Sequence, residues 1–225
     1  MLITIENLLN AEELSRARGL VADSTWNSGP GTAGLQAAQS KNNQQLPEDA
    51  AHLPALRRLV LDALNLNAVF FSAALPLKIL PPNFNRYAGN NNTYGFHADN
   101  AMRLAPDRSG TYVRADVSAT LFLSEPEDYE GGVLTIEDTF GTHGVKLKAG
   151  SLVLYPSSSV HAVSPVTRGA RVACFMFIQS MVRNPDALMW VARMREQDLT
   201  VYGHGLSVAV SLVAFGRHLG YPKEQ

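Results

Sequence analysis

The chain has 225 residues, of which 46% are hydrophobic and 17% are charged, and its formal net charge is -1. This length fits one domain with additions, and the hydrophobic fraction is high enough to fill a core and to exclude general disorder. There is no basic excess of the kind that favours nucleic-acid binding, so we expect no nucleic-acid partner.

The sequence also favours a cytoplasmic location. A single cysteine, Cys174, excludes an intramolecular disulfide, and nothing in the chain requires an oxidising compartment. The first residues lack the basic region and the long apolar run of a signal peptide. The longest apolar stretch, between Gly205 and Gly216, is far shorter than the roughly 20 residues that cross a bilayer, so no membrane association is expected.

Residues 1–76 are predicted to form mixed helical and strand elements that pack on a core. The segment from Leu2 to Ile5 alternates like a strand, and the stretch from Ala11 to Asp23 has helical periodicity. The polar segment from Ser40 to Gln45 reads as a loop or a sheet edge. A second helix is expected after Pro47, where leucines and valine recur at helical spacing.

Residues 77–183 carry short apolar runs that are separated by glycine-rich turn signals. Many short strands at such spacing are typical of a β-sandwich or barrel, and we predict a mainly β fold with a double-stranded β-helix (jelly roll) core. The predicted strands are Leu77–Ile79, Asn83–Tyr87, Tyr94–Asp99, Val117–Ser124, Gly132–Glu137, Val145–Leu147, Leu152–Tyr155, His161–Val163 and Arg171–Gln179. Residues 184–225 return to helical spacing and are predicted to form a helical C-terminal tail.

Two short segments carry residues that suit a metal ion. His97 and Asp99 are two positions apart, so in a strand their side chains point to the same face. His161 begins a later predicted strand and supplies a second imidazole. Two histidines and one carboxylate leave coordination positions open, as in non-haem iron(II) oxygenases, whereas a structural zinc site uses four protein ligands. The alternative is that His97 is an ordinary strand histidine bonded to Asp99.

Arg171 is predicted to open a strand after a turn at Pro165–Gly169. Its expected neighbours on that strand face are Ala173, Phe175 and Phe177. A guanidinium that points into such an apolar interior needs an anionic partner. Because guanidinium binds carboxylate through two parallel bonds, the far carboxylate of 2-oxoglutarate would suit it. The alternative is a surface charge at the start of a strand.

The chain resembles the bacterial PKHD-type hydroxylases, which are related to the catalytic domain of prolyl 4-hydroxylases. The resemblance covers nearly the whole chain up to about Arg183 and weakens after Asn184. The matching segments are Lys41–Gln45, Phe84–Tyr87, Tyr94–Asp99, Ser118–Ser124, Asp138–Gly141 and Leu152–Met181.

The resemblance implies an Fe(II)- and 2-oxoglutarate-dependent hydroxylase that is associated with iron uptake. By position, it places the iron ligands on His97, Asp99 and His161 and the oxoacid-binding arginine on Arg171. Tyr87 matches a tyrosine near the oxoacid in related enzymes. The resemblance also implies a requirement for L-ascorbate. An aspartate at position 99 favours hydroxylation over halogenation, since related halogenases lack this carboxylate.

The sequence suggests alternative roles, or none, for several other residues. The segment from Asn100 to Asp116 contains Arg103, Arg108 and Arg114, and it is either a substrate-contacting loop or a solvated crossover. His143 is interpreted as a solvated turn residue. The aromatic side chains near the motifs are either cavity walls or plain core; these are Phe96, Phe122, Phe175 and Phe177. The sequence suggests no role for Lys41, Asn42 and Asn43.

Two other functions fit part of the pattern. A cupin-like metal enzyme without 2-oxoglutarate would keep the metal ligands and would not need Arg171. A non-catalytic sensor of iron or 2-oxoglutarate would bind both and turn over neither. The sequence does not identify the substrate, which is a small molecule, a siderophore or a peptide. It is also compatible with assembly into a homo-oligomer.

Overall fold

The computed structural model describes residues 2–29, 40–105, 110–138 and 141–182. Its helices are α1 (Ala11–Ala22), α2 (Leu53–Leu66) and α3 (Ala68–Ala74), and a 3-10 helix spans Pro126–Asp128. Its strands are β1 (Ile3–Ile5), β2 (Asn27–Ser28), β3 (Lys41–Asn42), β4 (Gln44–Gln45), β5 (Pro76–Ile79), β6 (Asn83–Ala88), β7 (Thr93–His97), β8 (Met102–Leu104), β9 (Tyr112–Arg114), β10 (Val117–Phe122), β11 (Tyr129–Gly131), β12 (Leu134–Asp138), β13 (Gly141–Val145), β14 (Leu152–Pro156), β15 (Val160–Val163) and β16 (Val166–Ser180). The mainly β class is confirmed.

Most strands belong to two antiparallel sheets. The larger sheet has the order β1-β14-β10-β16-β6-β4-β2, and both β5 and β11 also pair with β16. The smaller sheet has the order β13-β12-β15-β7-β3. Strands β8 and β9 form a separate hairpin. This arrangement of facing sheets confirms the predicted jelly-roll core.

The larger sheet separates two hydrophobic clusters. On its outer face, Leu121 and Cys174 pack with helix residues such as Leu56 and Phe70. This cluster explains why Cys174 is fully buried and why burial raises the pKa of its thiol. The inner face packs against the smaller sheet through a second cluster, with Tyr87, Phe122 and Tyr155 from one sheet and Leu134 and Ile136 from the other.

The helices follow the predicted periodicity: α1 begins at its predicted residue, and α2 begins later than predicted. Helix α1 begins at Ala11 because Asn10 and Glu13 form a reciprocal capping box. Helix α2 begins at Leu53 rather than just after Pro47, and its buried residues are those of the predicted face, including Leu56 and Val60. The predicted helical tail, residues 184–225, lies outside the described residues, and the division into three regions stays a prediction.

The segment at residues 41–45 was predicted to be a loop or a sheet edge. In the structure it connects the two sheets, with β3 at the edge of the smaller one. Lys41 in β3 pairs with Tyr94 in the smaller sheet. Gln45 in β4 pairs with Asn85 in the larger sheet. Asn43 lies between these strands and is fully buried. The side chains of this segment therefore lie between the sheets, beside the cavity described below.

The predicted turn at Pro165–Gly169 is wrong. Strand β16 begins at Val166 and runs without interruption to Ser180. Gly169 has a φ of +74° and pairs with Tyr129. A Cβ at this glycine would collide with the carbonyl oxygen of Asp128, so the glycine permits a close approach within the sheet rather than a reversal of the chain.

The predicted strand at Val145–Leu147 is displaced, and His143 is not a turn residue. Strand β13 spans Gly141–Val145, and His143 pairs with Ile136 inside the hairpin that β12 and β13 form. The imidazole Nε2 lies 3.5 Å from Asp138 Oδ1. The Gly-Thr-His-Gly sequence looked like a turn because two glycines flank the histidine.

Candidate metal centre and its cavity

The structure brings His97, Asp99 and His161 together. His97 ends β7 and lies opposite His161 of β15. One nitrogen of each histidine and a carboxylate oxygen of Asp99 lie within 4.8 Å of one another. Of these donors, His161 Nε2 and Asp99 Oδ2 lie 3.6 Å apart. Three such donors around one point suit a metal ion that keeps further positions open.

Asp99 reaches the cluster from a loop rather than from the predicted strand. Strand β7 ends at His97, so the prediction that this strand extends to Asp99 is wrong. The backbone N–H of Asp99 instead donates to the carbonyl oxygen of Ser157 at 3.3 Å. The carboxylate nevertheless lies on the same side as the His97 imidazole, because the chain turns toward the loop that follows β14.

Backbone carbonyls orient both imidazoles. His97 Nδ1 lies 2.8 Å from the carbonyl oxygen of Gly95, and His161 Nδ1 lies 3.0 Å from that of Ser159. In the neutral rings Nδ1 then carries the proton and donates it to the carbonyl, which leaves each Nε2 lone pair for a metal. Burial and the neighbouring His161 lower the pKa of His97 to about 4, so its ring is neutral at pH 7.

The Asp99 carboxylate is held on both oxygens. Ser118 Oγ donates to Oδ2 at 2.7 Å and lies 2.8 Å from Ser157 Oγ. Arg103 Nη2 donates to Oδ1 at 3.2 Å. Partners of this kind fix the direction of a ligand and typically change metal affinity when they are removed. Ser118 and Ser157 were not identified from the sequence, although a serine inside a wholly buried strand such as β10 needs a polar partner.

Arg171 lies in the wall of the cavity that contains the metal-ligand cluster. It is 1% exposed, and its guanidinium carbon lies 5.3 Å from the ring centre of Tyr87 and 5.0 Å from that of Phe122. Its Nε has no hydrogen-bond partner. Among the described residues, no acidic side chain forms an ion pair with it. The surface-charge alternative for Arg171 is therefore wrong.

Tyr87 lies beside Arg171 on the neighbouring strand. The two residues are paired across β6 and β16. The Tyr87 side chain is 1% exposed and also lines the cavity. Burial raises the pKa of its phenol, and the Arg171 charge opposes that increase. Tyr87 therefore stays protonated at neutral pH and can donate a hydrogen bond.

Lys41 and Arg103 also line the cavity. The Lys41 ammonium lies 5.6 Å from the ring centre of Tyr94 and 5.9 Å from that of Phe175. The Arg103 guanidinium lies 3.4 Å from the ring centre of Phe177, a distance typical of cation–π contacts. Burial and the nearby Arg103 charge lower the pKa of Lys41 to about 8, although Asp99 opposes this change.

The Lys41 pKa predicts a change in stability with pH for the metal-free protein. The folded-state pKa of about 8 lies below the ordinary value of 10.5, so the unfolded chain binds more protons between these values. The free energy of unfolding should therefore rise with pH in that window, by on the order of 2 kcal/mol relative to Lys41→Met. Denaturant titrations from pH 7 to pH 10 measure this, with the exposed Lys148→Met as the control. Parallel profiles for wild type and Lys41→Met would contradict it.

The segment from Asn100 to Asp116 is largely a hairpin rather than a long loop. Arg103 on β8 points toward the cavity, whereas Arg114 on β9 pairs with Asp116 at 2.6 Å. Arg108 lies outside the described residues.

Phe175 and Phe177 line the cavity, but Phe96 is 59% exposed. Phe96 therefore belongs neither to the cavity wall nor to the hydrophobic core. His97 belongs to the metal-ligand cluster, and strand alternation directs the neighbouring Phe96 to the opposite face.

Comparisons with known proteins agree with this geometry. The family model of the 2OG-Fe(II) oxygenase superfamily matches residues 82–179. A PKHD-type hydroxylase of Azoarcus sp. (strain BH72) is 73% identical over 184 residues, which cover 82% of this chain and 80% of that protein. A PKHD-type hydroxylase of Nitrosomonas europaea is 68% identical over 186 residues, which cover 83% of this chain and 82% of the relative.

Solved structures share the fold at lower identity. A prolyl-4-hydroxylase from Pseudomonas putida has a TM-score of 0.51 and 23% identity, covering 79% of this chain and 92% of its own. HygX from Streptomyces hygroscopicus, solved with nickel and 2-oxoglutarate, has a TM-score of 0.53 and 17% identity, covering 80% and 82%. Within the described residues, no helix has the length and hydropathy needed to cross a membrane. The identity to the curated relatives shows that this chain belongs to the PKHD-type hydroxylases of the 2OG-Fe(II) oxygenase superfamily.

Proposed function

We propose that this hydroxylase binds Fe(II) through His97, Asp99 and His161 and binds 2-oxoglutarate through Arg171 and Tyr87. It would couple the oxidative decarboxylation of 2-oxoglutarate to succinate with the hydroxylation of a primary substrate. The observation that carries the proposal is one cavity with a three-donor cluster and a buried arginine that has no carboxylate partner among the described residues.

The donor set fits Fe(II). Two imidazoles and one carboxylate are a donor set that would leave positions on the metal for a bidentate ligand and for dioxygen. When bound, iron would supply the oxygen chemistry that no side chain can supply. The protein's own part is to hold His97 and His161 by the Gly95 and Ser159 carbonyls and to hold Asp99 by Ser118.

The surroundings of Arg171 suit the far carboxylate of 2-oxoglutarate. A buried guanidinium without an acidic partner costs folding free energy, and a bound carboxylate offsets that cost through charge-assisted hydrogen bonds. Tyr87 lies beside it with a protonated hydroxyl. Tyr87 and Phe122 also shield this part of the cavity from water, which strengthens the ion pair.

The cupin-like alternative without 2-oxoglutarate does not explain Arg171. Such an enzyme would have no reason to keep a buried cation at this point of β16. The sensor alternative keeps every residue of the site, so only turnover separates it from an enzyme.

The remaining features are proposals that rest on family resemblance and sequence. L-ascorbate would keep the iron reduced, and the substrate would be a small molecule, a siderophore or a peptide in a process linked to iron uptake. A cytoplasmic location agrees with a buried, unpaired Cys174.

Succinate formation tests the proposal. We expect wild type, loaded with Fe(II) without oxygen and then given 2-oxoglutarate and air, to release succinate slowly without a primary substrate. His97→Ala should release only the background amount, because it lacks one donor of the cluster. The exposed Arg58→Met is the control and should match wild type.

Two other outcomes would favour the alternatives. A wild type that binds Fe(II) and 2-oxoglutarate tightly but forms no succinate would support a sensor. A wild type that binds Fe(II) and not 2-oxoglutarate would support the cupin-like enzyme and contradict the role given to Arg171.

A further inference from the structure

Arg171 has a second tyrosine neighbour besides Tyr87. Tyr129 begins β11, which pairs with β16, and its side chain is 1% exposed. A Cβ at Gly132 would lie 2.8 Å from Cε2 of Tyr129 and 3.0 Å from Cδ of Arg171. Cε2 is one bond from the carbon that carries the hydroxyl, and Cδ is bonded to Nε. The hydroxyl end of Tyr129 therefore lies near the guanidinium end of Arg171.

These two side chains each have a polar atom without a partner. Among the residues that the structure describes, neither Tyr129 Oη nor Arg171 Nε has a hydrogen-bond partner, and both atoms are buried. Burial raises the pKa of the Tyr129 phenol, and the Arg171 charge opposes that increase. The phenol is therefore a neutral group within reach of the guanidinium charge. A buried donor and a buried acceptor this near to each other are suited to a hydrogen bond, because each is costly to leave unpaired.

Tyr129 itself is held in place. Lys146 Nζ donates to the carbonyl oxygen of Tyr129 at 2.8 Å and lies 4.1 Å from the centre of its ring. Gly132, with a φ of +63°, leaves the space that a side chain would take from Tyr129 and Arg171. Arg171 lines the cavity and Tyr129 does not. Tyr129 can therefore act on a bound ligand only through Arg171.

A phenol suits this position better than a carboxylate. The guanidinium has five N–H donors in a fixed fork, so Nε can donate to Tyr129 Oη while the terminal nitrogens bind the two oxygens of a carboxylate. An acidic side chain in place of Tyr129 would also accept from Nε, but it would neutralise the charge that attracts the oxoacid. The hydroxyl orients the guanidinium and leaves its charge intact.

We propose that Tyr129 is a positioning residue for 2-oxoglutarate, whose hydroxyl accepts a hydrogen bond from Arg171 Nε and so fixes the plane in which the guanidinium meets the far carboxylate. This rests on the proposed function, which assigns Arg171 to that carboxylate. The two atoms are near each other but not hydrogen-bonded in the structure, so we expect the bond to form when a carboxylate holds the guanidinium.

Removal of the hydroxyl tests this. Tyr129→Phe keeps the buried ring, and Tyr112→Phe is the control because Tyr112 is exposed. The full chain is held with Mn(II), as a redox-inert metal, and is titrated by calorimetry with 2-oxoglutarate or with 2-oxopentanoate, which keeps the ketoacid end and lacks the far carboxylate. Tyr129→Phe is also combined with Arg171→Met, since a residue that acts through Arg171 has no effect once the arginine is gone.

We expect Tyr129→Phe to weaken 2-oxoglutarate binding by about tenfold, since hydrogen bonds to charged groups are the strong ones. Its Mn(II) and 2-oxopentanoate affinities should match those of wild type. The ligand-free variant should be no less stable than wild type, because the hydroxyl that is removed has no partner there. In the Arg171→Met background Tyr129→Phe should cause no further loss, and Tyr112→Phe should behave as wild type.

Three results would overturn the inference and leave the proposed function standing. The first is a Tyr129→Phe protein that binds 2-oxoglutarate as wild type does. The second is an equal loss of affinity for 2-oxopentanoate or Mn(II), which would show that Tyr129 supports the fold. The third is a loss that persists in the Arg171→Met background. If Arg171→Met itself binds 2-oxoglutarate as wild type does, the proposed anchor is refuted and the inference with it.

Discussion

Asp99→Asn should weaken Fe(II) binding by more than about a hundredfold, because changes to residues that merely support a ligand already cost ten- to a hundredfold. Asparagine keeps the size of the side chain and removes the charge that two imidazoles cannot replace. Ser118 and Arg103 donate to the carboxylate, and both would then face a neutral amide. Succinate formation should fall to the background rate for the same reason.

Calorimetric titration with Fe(II) in the absence of oxygen measures this affinity. Asp62→Asn is the matched control, since Asp62 is exposed on α2, and it should bind Fe(II) as wild type does. An Asp99→Asn protein that keeps Fe(II) affinity within a few-fold of wild type would show that Asp99 is not a ligand. The hydrogen bond from Ser118 would then be its main role.

Arg171→Met is expected to change two quantities in opposite directions. It should lower 2-oxoglutarate affinity by about a hundredfold or more, because a buried charge pair loses one member. It should also raise the free energy of unfolding of the ligand-free protein by about 1 kcal/mol, because an apolar side chain of similar volume replaces a buried cation without an acidic partner. A purely structural arginine would show loss of stability instead.

Thermal unfolding with and without 2-oxoglutarate, in the presence of Mn(II) as a redox-inert metal, separates these effects. Wild type should gain stability from the oxoacid, and Arg171→Met should not. Arg168→Met is the control on the same strand, since Arg168 is largely exposed and pairs only at the surface with Glu130. Equal stabilisation of wild type and Arg171→Met by 2-oxoglutarate would refute the anchor.

Much of this centre could be predicted because its residues follow strand geometry. His97 and His161 end up opposite each other on neighbouring strands, and Arg171 shares a face with Phe175 and Phe177, as the period of two requires. These features depend on spacing within one strand or on short motifs. The predicted positions of these side chains were correct even where the predicted end of a strand was wrong, as at Asp99.

The supporting residues could not be predicted because they come from distant segments. Ser118 reaches Asp99 from β10, and Lys41 reaches the cavity from a two-residue strand. Neither contact leaves a periodic signal in the sequence. The errors at Gly169 and His143 have another cause. Glycine also permits close approach and sharp curvature within a sheet, so a glycine-rich segment does not always mark a turn.

The position of β16 in the chain has a consequence for folding. This strand is the last described one, yet it pairs with β10, β6, β5 and β11, whose residues precede it by long stretches of sequence. Such non-local pairing raises contact order and slows folding. On the ribosome, the larger sheet lacks its central strand until Ser180 has left the exit tunnel. Until then the edges of β10 and β6 stay open to association with other chains.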